Sequence, residues 1–250
     1  QVCRQLDDPV VRLRGSWDRF YSERSGNLRS QVKRGEAKLQ HQGVLSLEEY
    51  TGGPDLDARL QEFLHIEASG WKGREGTAIV QDPLAHRFYT RLAHEAAPHG
   101  HLRLYFLHVG DHCIAADYCL ACAGTVYMLK VGYDEAWSHC SPGQVMRKRV
   151  LEHLFSQGRD QIYDMLPGGG EHRGYKTRWA NWVRPYVMVR LFNPRSIRGQ
   201  LAATGSRLRA WLRQRTAERS AMAGSPPAAA SITTLLAVIG TTGLFAALVQ

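Results

Sequence analysis

The triplet Ser141-Pro142-Gly143 can begin a helix and hold an anion at once. Ser caps, Pro takes the first helical position, and the unpaired N–H groups of the first turn suit a phosphate or pyrophosphate. Gly143 lets such a group approach closely; the plainer alternative is a good helix start and nothing more. Asp164 stands inside an apolar strand, Ile162 to Leu166. A carboxylate there is either a base for an amine or a satisfied polar group on the second face of a sheet. Glu67 shares a helical side with Leu60, Phe63, Leu64 and Trp71, so it must be paired, protonated or functional. Trp71-Lys72-Gly73-Arg74 closes the same helix with an aromatic ring and two cations, which grip an acidic group or simply answer the helix dipole. Past Gly168-Gly169-Gly170, Tyr175 and Lys176 bring a phenol and an ammonium that protonate a departing thiolate or hold an anion, unless Trp179 merely anchors a surface helix there.

Other chemistries lack their residues. No G-x-S-x-G, Walker or G-x-G-x-x-G pattern occurs, so serine hydrolase, P-loop and dinucleotide-binding readings find no support. The 11 histidines show no H-E-x-x-H spacing. The 5 cysteines are an odd set without secretory spacing, which points to a reduced, cytosolic compartment. Cys119 and Cys122 form a C-x-x-C with no second pair to complete a zinc site, so no metal is expected. The sequence opens on Gln1 without a signal peptide and reads as an open-ended fragment.

The elements that position these residues follow from periodicity. Asp55 to Trp71 repeats apolar residues at three and four, and Asp82-Pro83 starts a second helix through Leu84, Phe88 and Leu92. Leu102–Val109, Cys113–Cys122 and Thr125–Val131 are short apolar or alternating runs separated by Gly110-Asp111 and Ala123-Gly124, which predicts a three-stranded antiparallel meander. The Ser141 helix, with its stripe of Met146, Val150 and Leu154, then leads to the strand Ile162–Leu166, a short helix containing Tyr175, and a last strand from Tyr186 to Phe192. A helix between the meander and the next strand implies one parallel crossover in an otherwise antiparallel sheet. The expected class is α+β, a mixed sheet flanked by helices.

Length and charge complete the outline. The 250 residues are enough for one large domain or two small ones. The net charge of +9 is concentrated: residues 195–219 hold seven Arg against Glu218, while residues 41–194 are nearly neutral. Ile197, Leu201, Leu208, Trp211 and Leu212 share one side of a helical wheel with Arg around the rest, so 195–230 reads as a basic amphipathic helix and a small-residue linker, a tail that favours an anionic membrane surface first and RNA second. Residues 231–250 are uncharged and long enough to span a bilayer as an anchor, with the arginines on the cytoplasmic side; the alternative is a buried or disordered C-terminal helix. The domain boundaries read as 1–54, 55–194, 195–230 and 231–250.

From about Asn27 to Phe192 the chain resembles the GNAT acyltransferase superfamily, in the subgroup similar to CelD-type cellulose-biosynthesis proteins and Fem-type peptidyltransferases. The resemblance rests on Glu67 to Ala78, Phe88-Tyr89, Ala115-Ala116, Lys130 to Glu135, Ser141-Pro142-Gly143, Tyr163 to Leu166 and Tyr175 to Trp179, in that order. It implies a GNAT-like sheet in which Met128, Leu129, Lys130 and Val131 line the pantetheine arm of acyl-coenzyme A, acetyl-coenzyme A foremost. Ser141, Gly143, Gln144 and Val145 would face its pyrophosphate. An amine acceptor would approach Asp164 as base, with Glu67 in reserve, Tyr175 as acid, and a backbone N–H near Leu129 to Lys130 polarising the carbonyl. Trp71, Lys72, Arg74 and Lys176 would bind the acceptor. The implied activity is N-acyl transfer by direct attack, in cell-envelope or exopolysaccharide synthesis, in the cytoplasm or at the inner face of the membrane. The alternatives are a Fem-type transferase using aminoacyl-tRNA and a non-catalytic scaffold at the membrane. Two departures stand out: the loop from Gly168 to Gly174 is longer than the family's turn, and residues 1–54 leave room only for a stump of the partial GNAT half that precedes this one in subgroup members.

Overall fold

The computed structural model describes residues 2–166, 173–189, 192–193 and 195–222. The chain divides into two units, one of Gln5–Val187 and one of Gln1–Arg4 with Met188–Gln250.

The larger unit is built on a seven-stranded mixed sheet. In chain order the elements are β1 (Val2–Arg12), α1 (Trp17–Ser22), α2 (Gly26–Gln42), β2 (Leu45–Tyr50), α3 (Leu56–Ala68), α4 (Trp71–Arg74), α5 (Pro83–Ala96), β3 (Leu102–Val109), β4 (His112–Cys122), β5 (Thr125–Tyr133), α6 (Pro142–Gln157), β6 (Ile162–Asp164), α7 (Arg173–Trp179) and β7 (Trp182–Val189). The strands lie in the order β2-β3-β4-β5-β6-β1-β7. β2 to β5 form an antiparallel meander, β5 and β6 are parallel across the α6 crossover, and β1 pairs antiparallel with β6. The expected α+β architecture is therefore present, with the parallel pair where the helix between strands demanded it. The β4–β5 link is tight because Ala123 and Gly124 both take positive φ, 48° and 72°, as a two-residue hairpin turn requires.

Side chains alternate across this sheet with period two. Tyr105, Leu107, Ala115, Cys119, Val126 and Met128 pack with α2 and α6 on one face, and Leu104, Phe106, Ala116 and Tyr118 pack with α3 and α5 on the other. Cys119 and Cys122, three apart on a strand, cannot face a common ligand; one is buried and the other exposed.

The boundary expected after residue 54 falls inside this unit. β2 pairs with β3 from Leu45↔Val109 to Tyr50↔Leu104, and α2 buries Leu28, Val32 and Leu39 in the same core as Val145 and Val150 of α6. Only a narrow apolar stripe marks α2 amid polar residues. Its Gly35 lets α6's approach segment in close: a Cβ there would meet the Cys140 carbonyl oxygen at 2.4 Å. β1 forms despite Asp7-Asp8-Pro9, with Val10 pairing with Asp164.

Of the second unit, the described part is dominated by α8 (Ile197–Met222), a 26-residue helix. It lies within the segment 195–230 read from the sequence as a basic amphipathic helix and linker. The uncharged segment 231–250 lies outside the described residues. Among those described, no helix is long and apolar enough to cross a membrane.

Candidate active site

The candidate cleft is the place where two parallel strands stop pairing. β5 and β6 pair at three positions only, the last being Tyr127↔Asp164. β6 ends there while β5 continues to Tyr133, so residues 128–133 run on without a β6 partner. Opposite Tyr118 and Cys119 the β4–β5 register slips, leaving Leu129 as an extra residue between Met128 and Lys130. A bulge of this kind leaves its inserted residue unpaired and re-aims the backbone. It stands at the expected position for polarising a carbonyl.

Beside this edge, α6 begins. Ser141 adopts a left-handed conformation with φ 53° and does not cap with its side chain; its Oγ instead accepts a hydrogen bond from Gln31 Nε2 at 3.2 Å. The Gln144 and Val145 N–H groups both donate to the Ser141 carbonyl, and the Val145 side chain is in the core. Gln144 Oε1 accepts from Trp179 Nε1 at 2.8 Å, fastening α7 to α6. Around Gly143 there is space: the nearest atom to an added Cβ would be Tyr133 Cδ1 at 3.9 Å.

Tyr175 of α7 reaches the start of the cleft, its hydroxyl 3.9 Å from Met128 Sδ. Burial raises its pKa, with the Arg147 guanidinium beside it pulling the other way. The phenol is thus a protonated donor at neutral pH. Arg147 itself is buried in α6, bonded to Asp117 Oδ2 at 2.8 Å and lying 5.1 Å from the Tyr163 ring centroid. Burial alone would lower its pKa, but Asp117 and Tyr175 outweigh that and raise it.

Asp164 is wholly buried and already bonded. It pairs with Arg184 of β7 and accepts the Leu166 N–H at 2.8 Å. Burial and the neighbouring Asp8 carboxylate raise its pKa. Arg184 bridges to Asp8 Oδ2 at 2.7 Å. Lys176 donates to the carbonyls of Met165 and Leu166 at 2.6 and 2.8 Å. Burial, then Arg147, bring its ammonium down to about 8, against Asp8 and Asp164. These four charged groups hold the end of β6 where the strands part.

Glu67 is paired, as an apolar-stripe carboxylate must be. Its Oε1 meets Lys72 Nζ at 2.9 Å and its Oε2 accepts the Ile79 N–H at 2.9 Å. Lys72 also donates to the Val131 carbonyl at 2.6 Å. α3 can lie this near because β5 has no side chain at Gly132, where a Cβ would sit 2.5 Å from Glu67 Cα. The tetrapeptide from Trp71 to Arg74 is its own short helix, not the end of α3. Arg74 pairs with Glu135, and Glu135 also accepts a backbone hydrogen bond from Trp71. Lys130 points to the α5 side, 5.4 Å from the Tyr89 ring centroid, and burial together with Lys72 lowers its pKa.

A model of the acetyltransferase (GNAT) domain matches residues 26–177. The chain belongs to the GNAT acetyltransferase domain family. Solved structures similar to this GNAT chain include FemX, at 11% identity and TM-score 0.50 over 72% of this chain and 59% of that one. They also include the C-terminal domain of a putative lysylphosphatidylglycerol synthetase from Agrobacterium fabrum, at 12% and 0.50 over 74% and 60%. A Bacteroides thetaiotaomicron protein of unknown function follows at 13% and 0.51 over 74% and 61%. Identities this low speak for the fold alone, and the chain spans about three-fifths of the length of those structures. No curated protein sequence matches it.

The structure brings Met128 to Val131, Ser141 to Val145, Tyr175 and Lys176 around the parting of β5 and β6. It places Glu67, Lys72, Trp71 and Arg74 on the α3 side. Four charged residues escaped the sequence reading: Asp117, Arg147, Asp8 and Arg184. For two the signal was present, since Asp117 interrupts an apolar strand and Arg147 sits among Val145, Met146 and Val150. Of metal-type side chains among the described residues, Glu62, His108 and Cys113 gather within 4.8 Å, but Arg59 already pairs with Glu62 at 2.6 Å.

Proposed function

We propose that this chain transfers an acyl group from acyl-coenzyme A to an amine by direct attack on the thioester. The observation that carries the reading is the stretch of β5 beyond Tyr127 that has no β6 partner, with a bulge at Leu129 and the open Gly143 helix start beside it. An extended pantetheine arm with its amides matches such an edge, and a pyrophosphate matches the start of α6. In the reaction the amine nitrogen bonds to the carbonyl carbon, the C–S bond breaks, the amine loses a proton and the thiolate gains one. The bulge amide at Leu129 stabilises the developing oxyanion. Tyr175, protonated and at the cleft, returns the proton to the thiolate. Asp164 and Glu67 are engaged by Arg184 and Lys72, so they hold the cleft's two sides and the amine proton passes to water. The acetyl group is the donor to test first, and an envelope precursor the acceptor class.

Lys72 favours a second reading. It occupies the Val131 carbonyl, an acceptor on the very stretch a pantetheine arm would use. An aminoacyl-tRNA donor has no such arm and needs no such acceptor. Titration of acetyl-coenzyme A by calorimetry decides: saturable binding weakened by Gly143→Glu supports the first reading. No binding, together with affinity for charged tRNA that falls steeply with salt, replaces it with the second.

A further inference from the structure

Ten large apolar side chains stand well exposed among the described residues, and five of them lie on α8: Ile197, Leu201, Leu208, Trp211 and Leu212, from 48% to 77% exposed. With 3.6 residues per turn, they fall within about 100° of arc. Ser206, on the opposite side of the wheel, is buried, at 6%. The apolar stripe is therefore the exposed side of this helix. Arg198 and Arg207 flank the stripe, Arg209 follows, and the Arg215 guanidinium lies 4.3 Å from the Trp211 ring centroid. From Arg195 to Ala217 the sequence has no acidic residue.

An outward apolar stripe bordered by arginines and carrying a Trp matches a helix that lies in a lipid interface, and its charge forbids it to cross one. We propose that α8 binds the surface of a membrane rich in anionic phospholipid, with the stripe among the acyl chains and the arginines at the headgroup phosphates. This is independent of which donor the cleft takes. RNA offers phosphates too, but no apolar phase for Ile197, Leu201, Leu208 and Leu212.

The test uses the full chain with vesicles of phosphatidylcholine alone and of phosphatidylcholine with phosphatidylglycerol. Binding to the anionic vesicles, weakened by salt and accompanied by a blue shift of Trp fluorescence, is expected. The double variant Leu201→Asp/Leu208→Asp should lose at least about tenfold in vesicle affinity, with thermal unfolding unchanged because both side chains are exposed. Trp211→Phe should keep most of the binding and lose the blue shift. Equal binding to both vesicle types, or a double variant that binds like the parent, overturns the proposal. So does a chain that binds polyuridylate but neither vesicle, which would assign the arginines to nucleic acid.

Discussion

Lys72 and Glu67 form a buried ion pair at 2.9 Å that clamps α3 and α4 onto β5, since the same ammonium holds the Val131 carbonyl. Glu67 has no exposed side-chain surface. Removing Lys72 alone would strand a carboxylate in the interior, which costs about 3–5 kcal/mol. Lys72→Met should therefore lower the urea midpoint sharply, while Glu67→Gln/Lys72→Met recovers much of the loss. A double variant no better than the single would deny the clamp. A Glu67→Gln protein that folds normally but transfers no acyl group would restore Glu67 as a base.

Gly143 is the cleanest probe of the donor site, because its surroundings are open and a side chain there fits. Gly143→Glu should leave thermal unfolding within a degree or two of the parent. Its carboxylate at the first turn of α6 opposes a phosphate, so coenzyme A affinity should fall about tenfold or more. Calorimetry reads both quantities' consequence directly. Unaltered affinity would move the pyrophosphate elsewhere.

Tyr175 carries the proton in the proposed reaction. Tyr175→Phe removes only the hydroxyl, and kcat should fall about 10²-fold or more with little change in KM. In the parent, the rate should hold through neutral pH and decline only above the ordinary phenol range, because burial raises the Tyr175 pKa. A Phe variant with parental kcat would end the assignment.

Much of this arrangement was legible in the sequence, and the exceptions share a cause. The meander, the α6 crossover and the Asp82 cap, which accepts from Leu84 and Ala85 N–H, all follow from short-range patterns. So does Glu67's need for a partner. What escaped depends on residues far apart in the chain. β1 is a strand because Val10 to Arg12 find Asp164 to Ile162, and Asp8 is tolerated in its interior because Arg184 bridges it to Asp164. The two sequence alternatives for Asp164, base or satisfied polar group, stay open for the same reason: its partner comes from β7, twenty residues on. Ser141-Pro142-Gly143 did start a helix, but Gln31, from the unrecognised α2, took the hydroxyl expected to cap it.

Glu49 of β2 ties this otherwise peripheral strand to α6 and beyond, and its titration gives the last prediction. It pairs with His153 at 3.0 Å, Arg159 at 2.8 Å and Arg103 at 3.1 Å. Burial alone would raise its pKa, but hydrogen bonds from His153 and Arg159, with their charge, bring it down from 4.5 to about 2. A carboxylate whose folded pKa is depressed stabilises the fold above its unfolded pKa. As pH falls below 4.5 the unfolded chain binds the proton first, so stability is lost through the window down to about 2. Urea midpoints of the parent and Glu49→Gln should therefore differ most near neutral pH and converge toward pH 2, with the variant the less stable throughout the upper range. A difference between the two that stayed constant with pH would mean that Glu49 acts through packing, not through its charge.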